Sequence, residues 1–174
     1  MEEINLKLLY SEEEINRRVK ELARQISSDY RDRNPLCIGI LKGVFIFMAD
    51  LVRNLAWPVQ IDFVRLASYG SATESCGRIT ISKDVELPVT GKDILIVEDI
   101  VDTGLSLSFL KERLLQAGPA SLKICVLIDK QARRKVDVEL DYVGFSQENG
   151  FLVGYGLDCA ERFRTLPAIY EVAE

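Results

Sequence analysis

Glu98, Asp99 and Asp102 place three carboxylates within five residues, and Thr103, Gly104 and Ser106 follow at once. Carboxylates so spaced accept hydrogen bonds from hydroxyls or hold a hard divalent cation. Small residues at a helix start leave backbone amides and hydroxyls free to face an anion. The combination suits a cation or a polyol beside a phosphate cradle, and by itself it allows several phosphate or metal sites.

Something must hold these side chains in place. Ile94 to Val97 form an unbroken aliphatic run, the pattern of a strand covered on both faces of a parallel sheet. The strand runs into the acidic turn, and Leu105 to Gln116 then read as a helix that ends near Gly118 and Pro119. A second strand-turn-helix unit comes earlier: Leu36 to Leu41 as strand, Lys42-Gly43 as turn, and Val44 to Asn54 at helical spacing. Ser11 and Glu14 make a capping box ahead of Ile15, Val19, Leu22, Ala23 and Ile26, so a helix is expected through about Tyr30. Its Arg17, Arg18, Lys20 and Arg24 read as a solvated face.

Val59, Ile61, Phe63 and Arg65 alternate with Gln60, Asp62 and Val64, as in a strand. From Ser68 to Arg78 the chain is small, polar and flanked by glycine, which suits either a lid or a plain hairpin connection before a strand at Ile79 to Ser82. Ser121 to Asp129 read as another buried strand, followed by Lys130 and the basic QARRK segment. Tyr142 to Phe145 and Phe151 to Tyr155 read as short strands, and a short tail closes the chain. The alternation predicts an α/β fold, an open and mostly parallel sheet flanked by helices, with its site beyond the carboxyl ends of the strands.

At 174 residues and 48% hydrophobic content the chain suits one domain with a substantial core. The net charge of -5 argues against a nucleic-acid-coating protein. Cys37, Cys76, Cys125 and Cys159 are widely spaced, which suits reduced thiols in the cytoplasm. The first ten residues lack the features of a secretory signal, and Lys42 and Asp50 interrupt the most apolar window, so no membrane span is expected. The chain has no histidine, which excludes a histidine base, a histidine metal ligand and a Ser-His-Asp triad. The phosphate turns of dinucleotide and P-loop proteins are also missing.

The segment EDIVDTGLS at Glu98 resembles the phosphoribosyl-pyrophosphate-binding motif of the type I phosphoribosyltransferases. LKG at Leu41, SYG at Ser68, DK at Asp129 and FLVGYGLD at Phe151 extend the likeness to Arg164, and together they resemble the bacterial hypoxanthine-guanine branch. The resemblance implies a single domain with a small hood from the N-terminal segment and about residues 130–174. It implies transfer of 5-phosphoribose to N9 of a 6-oxopurine, with Mg²⁺ and as a homodimer or homotetramer. Two other readings stay open: a nucleotide-sensing regulator of the same fold that binds nucleic acid, and a xanthine-preferring relative.

By the same resemblance, Asp102, Thr103, Gly104, Leu105 and Ser106 take the 5-phosphate, and Glu98 and Asp99 the ribose hydroxyls and metal. Asp102 is the general base near purine N7. Leu41, Lys42, Gly43, Ser68, Tyr69 and Arg164 take pyrophosphate, partly through amides exposed by a cis peptide whose isomer the sequence leaves open. Lys130, Phe151, Leu152 and Asp158 take the purine, with Asp158 as second metal ligand. An ammonium offers only donors, so Lys130 favours an oxygen at position 6 over the amino group of adenine. Cys159 stands where many relatives carry tyrosine.

Overall fold

The computed structural model describes residues 5–31, 33–69 and 78–173. The elements run β1 (Leu6–Tyr10), α1 (Glu12–Asp29), β2 (Leu36–Leu41), α2 (Phe45–Arg53), β3 (Gln60–Tyr69) and β4 (Arg78–Lys83). They continue as β5 (Asp93–Val101), α3 (Leu105–Gln116), β6 (Ser121–Lys130), β7 (Tyr142–Gln147), β8 (Leu152–Val153) and β9 (Ile169–Val172). Six strands form the main sheet in the order β4-β3-β2-β5-β6-β7. All its pairs are parallel except β3 with β4. From β2 the chain passes through α2 to β3 on one side, and from β5 through α3 to β6 on the other. The order thus reverses between β2 and β5, and a crevice at their carboxyl ends is where an open α/β sheet binds its ligands.

Burial explains why β5 is aliphatic throughout. Leu95 and Val97 pack into the layer formed by α1 and α2, whereas Ile94 and Ile96 pack with Leu107, Leu110 and Leu114 of α3. Both faces are covered, so the strand does not alternate. Helix α1 carries the expected capping box, with Glu14 N donating to Ser11 Oγ at 3.3 Å and Ser11 N to Glu14 Oε2 at 2.8 Å. Its five predicted inward residues are all buried. Among the described residues no helix is long and apolar enough to cross a membrane.

Several expectations need correction. The acids Glu98 and Asp99 are not in a turn: β5 continues to Val101, and only Asp102 begins the turn. Of the expected strand from Phe151 to Tyr155, only Leu152 and Val153 form a strand with β9; Gly154 and Tyr155 adopt positive φ and lead the chain into a tight bridge between Gly154 and Leu157. The alternation expected in β3 points the wrong way at Ile61, which is 41% exposed, while Asp62 is buried. Hydropathy cannot register that a carboxylate inside can collect amides that an isoleucine cannot. Arg18 is not simply solvated either. Its Nε and Nη2 each donate at 2.7 Å, to Gly144 O and Val143 O, and so tie α1 to the edge strand β7.

The chain ends also form structure of their own. Residues 6–10 and 169–172, for which the periodicity predicts no strand, pair antiparallel as β1 and β9, and β8 adds to β9 on the other side. Tyr10 stacks on Phe145 at 4.1 Å between centroids, and its hydroxyl donates to Gln147 Oε1, which fastens this small sheet to β7.

Asp62 supports a prediction about stability. Its carboxylate accepts from the amides of Phe63 (2.7 Å), Glu86 (2.7 Å) and Leu87 (2.8 Å), and Lys83 Nζ lies 3.4 Å away. Burial alone would raise its pKa, but the three amides and the lysine outweigh burial and hold it below the usual aspartate range. A folded-state pKa below the unfolded one means that the unfolded chain binds more protons at low pH. The stabilisation is therefore complete above the unfolded pKa and is lost as pH falls through the folded one. Asp62→Asn should cost about 1–3 kcal/mol at neutral pH, with a smaller deficit in acid. Urea denaturation at pH 7 and pH 3.5 checks it, and an equal deficit at both would contradict the assignment.

Candidate active site at the switch point

Two cavities open at the carboxyl ends of β2, β5 and β6. The first, of about 270 Å³, is lined by Ile40, Leu41 and Leu66, by Glu98, Ile100 and Val101 at the end of β5, by the turn Asp102 to Gly104, and by Ser106 and Leu107 of α3. The second, of about 320 Å³, is lined by Lys42, Gly43, Asp99, Lys130, Arg133, Phe151, Leu152, Leu157, Asp158 and Arg164, again with Ile100 and Asp102. Ile100 and Asp102 thus belong to both. The site has two lobes, and Asp102 stands at their junction.

The first lobe has donors of the kind that can hold an anion. Gly104 has φ +80 at the N-cap of α3 and makes no side-chain cap bond. A Cβ there would overlap Val136 O, so the position excludes side chains as well as requiring the left-handed region. The first-turn amides of α3 have no intrahelical acceptor. With the Thr103 and Ser106 hydroxyls they offer an anion several donors, and Asp102 and Glu98 are the carboxylates among the described residues that line this lobe.

The acidic pair behind it is almost fully enclosed, Glu98 being 8% and Asp99 7% exposed. Burial, and then the adjacent Asp99 charge, pushes the Glu98 carboxyl well above the usual range. Burial also raises Asp99, partly offset by Glu98, by the Ile100 amide and by Arg164. Asp99 Oδ2 reaches so close to Gly43 that a Cβ there would overlap it. Gly156, at φ +102, packs against Gly43 from elsewhere, where its own Cβ would overlap Gly43 O. The β2-α2 turn is thus pressed between two backbone-close neighbours. The Leu41-Lys42 peptide in it is cis.

Asp102 is the least settled group. Its Oδ1 is buried and has no hydrogen-bond partner among the described residues, while Oδ2 faces Arg133 Nη1 at 3.3 Å. An unpaired buried acceptor is costly unless a ligand completes it. Lys130 follows it into the second lobe from the end of β6, and among the described residues it has no carboxylate within salt-bridge distance. Phe151, 53% exposed, presents an aromatic face beside buried Leu152. The other cations are tied to carboxylates. Lys42 Nζ lies 2.8 Å from Glu161 Oε1, and Arg164 Nη2 lies 3.1 Å from Glu161 Oε2 and 2.8 Å from Asp158 Oδ1.

The structure therefore gathers Lys42, Gly43, Asp99, Asp102, Lys130, Phe151, Leu152, Asp158 and Arg164 around one lobe, and Leu41, Glu98, Asp102, Thr103, Gly104 and Ser106 around the other. Leu105 begins α3 beside the cradle. Ser68 and Tyr69 close β3, but their side chains and residues 70–77 of the segment read as a lid or a hairpin connection lie outside the described residues, Cys76 among them. The sequence reading missed Ile100, Arg133, Leu157 and Glu161. Arg133 belonged to a basic run with nothing to single it out, and Glu161 becomes visible only through the cations it meets. Size alone would mislead here. A larger cavity, about 710 Å³, lies at the end of α1 between Ser27, Arg31, Arg33, Trp57 and Pro58, at the amino ends of the strands and away from every acid described above.

Donor chemistry decides whether a divalent cation suits the site. Glu98, Asp99 and Asp158 supply hard oxygens, yet among the described residues no three acidic, cysteine or histidine groups gather to cage an ion. That fits Mg²⁺ arriving with phosphate oxygens and water, and does not suit a resident structural ion.

The phosphoribosyl transferase domain model matches residues 6–160. The hypoxanthine-guanine phosphoribosyltransferase of Bacillus subtilis (strain 168) is 49% identical over 163 residues, covering 94% of this chain and 91% of that protein. The enzyme of that name from Aquifex aeolicus (strain VF5) is 49% identical over 170 residues, with 97% and 96% covered. A crystal structure of a hypoxanthine-guanine phosphoribosyltransferase from Bacillus anthracis superposes with a TM-score of 0.92 at 47% identity, over 98% of this chain and 100% of that one. On its sheet order, its two-lobed site and these likenesses, the chain belongs to the hypoxanthine-guanine phosphoribosyltransferase family.

Proposed function

We propose that the two lobes bind the two halves of one reaction, in which hypoxanthine or guanine takes 5-phosphoribose from phosphoribosyl pyrophosphate. The observation that carries this reading is Asp102, a carboxylate with one unpaired buried oxygen where an anion cradle meets a cavity with a lysine and an aromatic. The 5-phosphate lies on the amides and hydroxyls of Asp102 to Ser106. Glu98 and Asp99 accept from the ribose hydroxyls. Lys42, the backbone of Leu41 and Gly43, Ser68, Tyr69 and Arg164 hold pyrophosphate, so Glu161 must release Lys42 and Arg164 as it binds. In the other lobe Lys130 donates to O6, Phe151 stacks on the ring, and Leu152 and Asp158 border its 2-position edge.

In the reaction N9 bonds to C1′ of the ribose as the C1′–oxygen bond to pyrophosphate breaks. The purine proton passes from N7 to Asp102, whose negative charge also suits the positive charge developing on the sugar ring. Mg²⁺ held by Glu98, Asp99 and Asp158 would neutralise charge on the departing pyrophosphate. The products are the nucleoside monophosphate and pyrophosphate. The small sheet of β1, β8 and β9 serves as a hood over the base, and the enzyme works in the cytoplasm as a homodimer or homotetramer.

Nucleotide formation from phosphoribosyl pyrophosphate, Mg²⁺ and each of four purines tests the reading. Hypoxanthine and guanine should turn over, and adenine should be at least about 10³-fold worse, since its 6-amino group leaves Lys130 facing a donor. Xanthine ranks between or below them according to its 2-oxygen. Chelating the metal should abolish turnover. No turnover with any oxopurine would sink the proposal.

A further inference from the structure

We propose that Arg134, which lines neither lobe, is a positioning residue that sets the spacing between the phosphate turn and the purine-reading lysine. The ladder between β5 and β6 ends at Val101 and Asp129, after which β5 gives way to the turn at Asp102 while Lys130 stays paired with Gln147 of β7. Beyond that point the Arg134 guanidinium takes over. Its Nε donates to Asp102 O at 3.1 Å, and its Nη2 faces Val101 O at 3.3 Å and Lys130 O at 3.4 Å. Nη2 also pairs with Asp129 Oδ1, while Asp129 Oδ2 accepts from Gln131 Nε2 at 3.0 Å. One planar cation thus grips the main chain at Asp102, the proposed base, and at Lys130, the proposed reader of O6.

The neighbouring backbone reinforces the grip. Lys135 N and Val136 N donate to Thr103 O at 2.9 and 3.1 Å, and the absent Cβ of Gly104 leaves room for Val136 O and Arg134 Cδ. The 131–136 segment is therefore folded onto the phosphate turn. Arg134 and Asp129 face a cavity behind the two lobes, bordered by Asp137, Val138 and Val143. Arg134 can act only through the groups it holds. A rigid fork suits this task, because a lysine ammonium keeps the charge beside Asp129 but cannot span carbonyls on two separate strand ends.

This inference rests on the assignment of Asp102 and Lys130 to the reaction, and the test separates the two. Arg134→Lys is compared with wild type by thermal unfolding and steady-state kinetics, with rates referred to the folded fraction. The expected result is a folded enzyme whose kcat is about 10²-fold lower, as misplacement near 1 Å would give, with both KM values within about threefold. In Arg134→Ala, methylguanidinium should raise kcat several-fold where methylammonium does not. A merely structural salt bridge would be satisfied by lysine and indifferent to which cation is added. An Arg134→Lys enzyme with kcat within twofold of wild type would overturn the inference, as would a deficit that vanishes on correction for folded fraction. If Asp102→Asn is inactive while Arg134→Lys is normal, only the positioning role fails. If Asp102→Asn is fully active, the functional assignment fails first.

Discussion

Asp102→Asn is expected to lower kcat by about 10²- to 10⁴-fold, the usual contribution of a positioned general base, while phosphoribosyl pyrophosphate binds with an affinity within a few-fold of wild type. The substitution is nearly isosteric and keeps an acceptor oxygen, so the phosphate turn has no reason to move. What it removes is basicity, at a buried side-chain oxygen that has no partner among the described residues. It also removes the negative charge facing Arg133 and, in the reaction, facing the ribose ring. Steady-state kinetics beside calorimetric titration with phosphoribosyl pyrophosphate separate the effects. A drop confined to kcat supports the base. Wild-type turnover at unchanged binding would show that the proton goes elsewhere.

Gly43→Ala should be nearly as damaging, although it changes no group that the proposed chemistry uses. Gly43 is not among the residues with positive φ, so conformational freedom is not what the position needs. It needs the missing Cβ, because Asp99 Oδ2 fills that space and Gly156 closes the other side against Gly43 O. An added methyl must displace either the buried carboxylate or the turn that carries Lys42. Overpacking of this kind costs about 1–3 kcal/mol in stability, and kcat/KM for phosphoribosyl pyrophosphate should fall about 10²-fold. Adding Asp99→Ala should restore much of the stability, through a coupling of about 0.5–3 kcal/mol. It should not restore activity, since the carboxylate itself is gone. Gly43→Ala kinetics close to wild type would show that the contact between Gly43 and Asp99 does not matter to the site.

Much of this molecule was legible without coordinates. Helix α1 could be placed from Ser11, Glu14 and five spaced apolar residues because helix capping and amphipathicity are local. β5 could be recognised as central because a strand buried on both faces must be apolar throughout. What failed had long-range causes. β1 and β9 consist of ordinary-looking residues at opposite ends of the chain, and they become strands only by pairing with each other. Arg18 looked like one more surface charge until β7 came alongside with two carbonyls. Asp62 looked outward-facing because hydropathy does not register three amides waiting inside.

The site divides the same way. Sequence alone determined which chemistry was available: acids without histidine, a small-residue turn after a strand, and a lysine at another strand end. It also fixed that the first two lie together, since they are neighbours in the chain. Only the tertiary structure decided how the acids are distributed, Glu98 and Asp99 held on β5 with one lining each lobe and Asp102 at the junction of the two. It alone brought Gly43 against Asp99, Glu161 onto Lys42, and Arg134 across to the carbonyl of Asp102. The reason is geometric. Residue type sets what a group can donate or accept, but burial and a partner more than 30 positions away set whether it is free to do so.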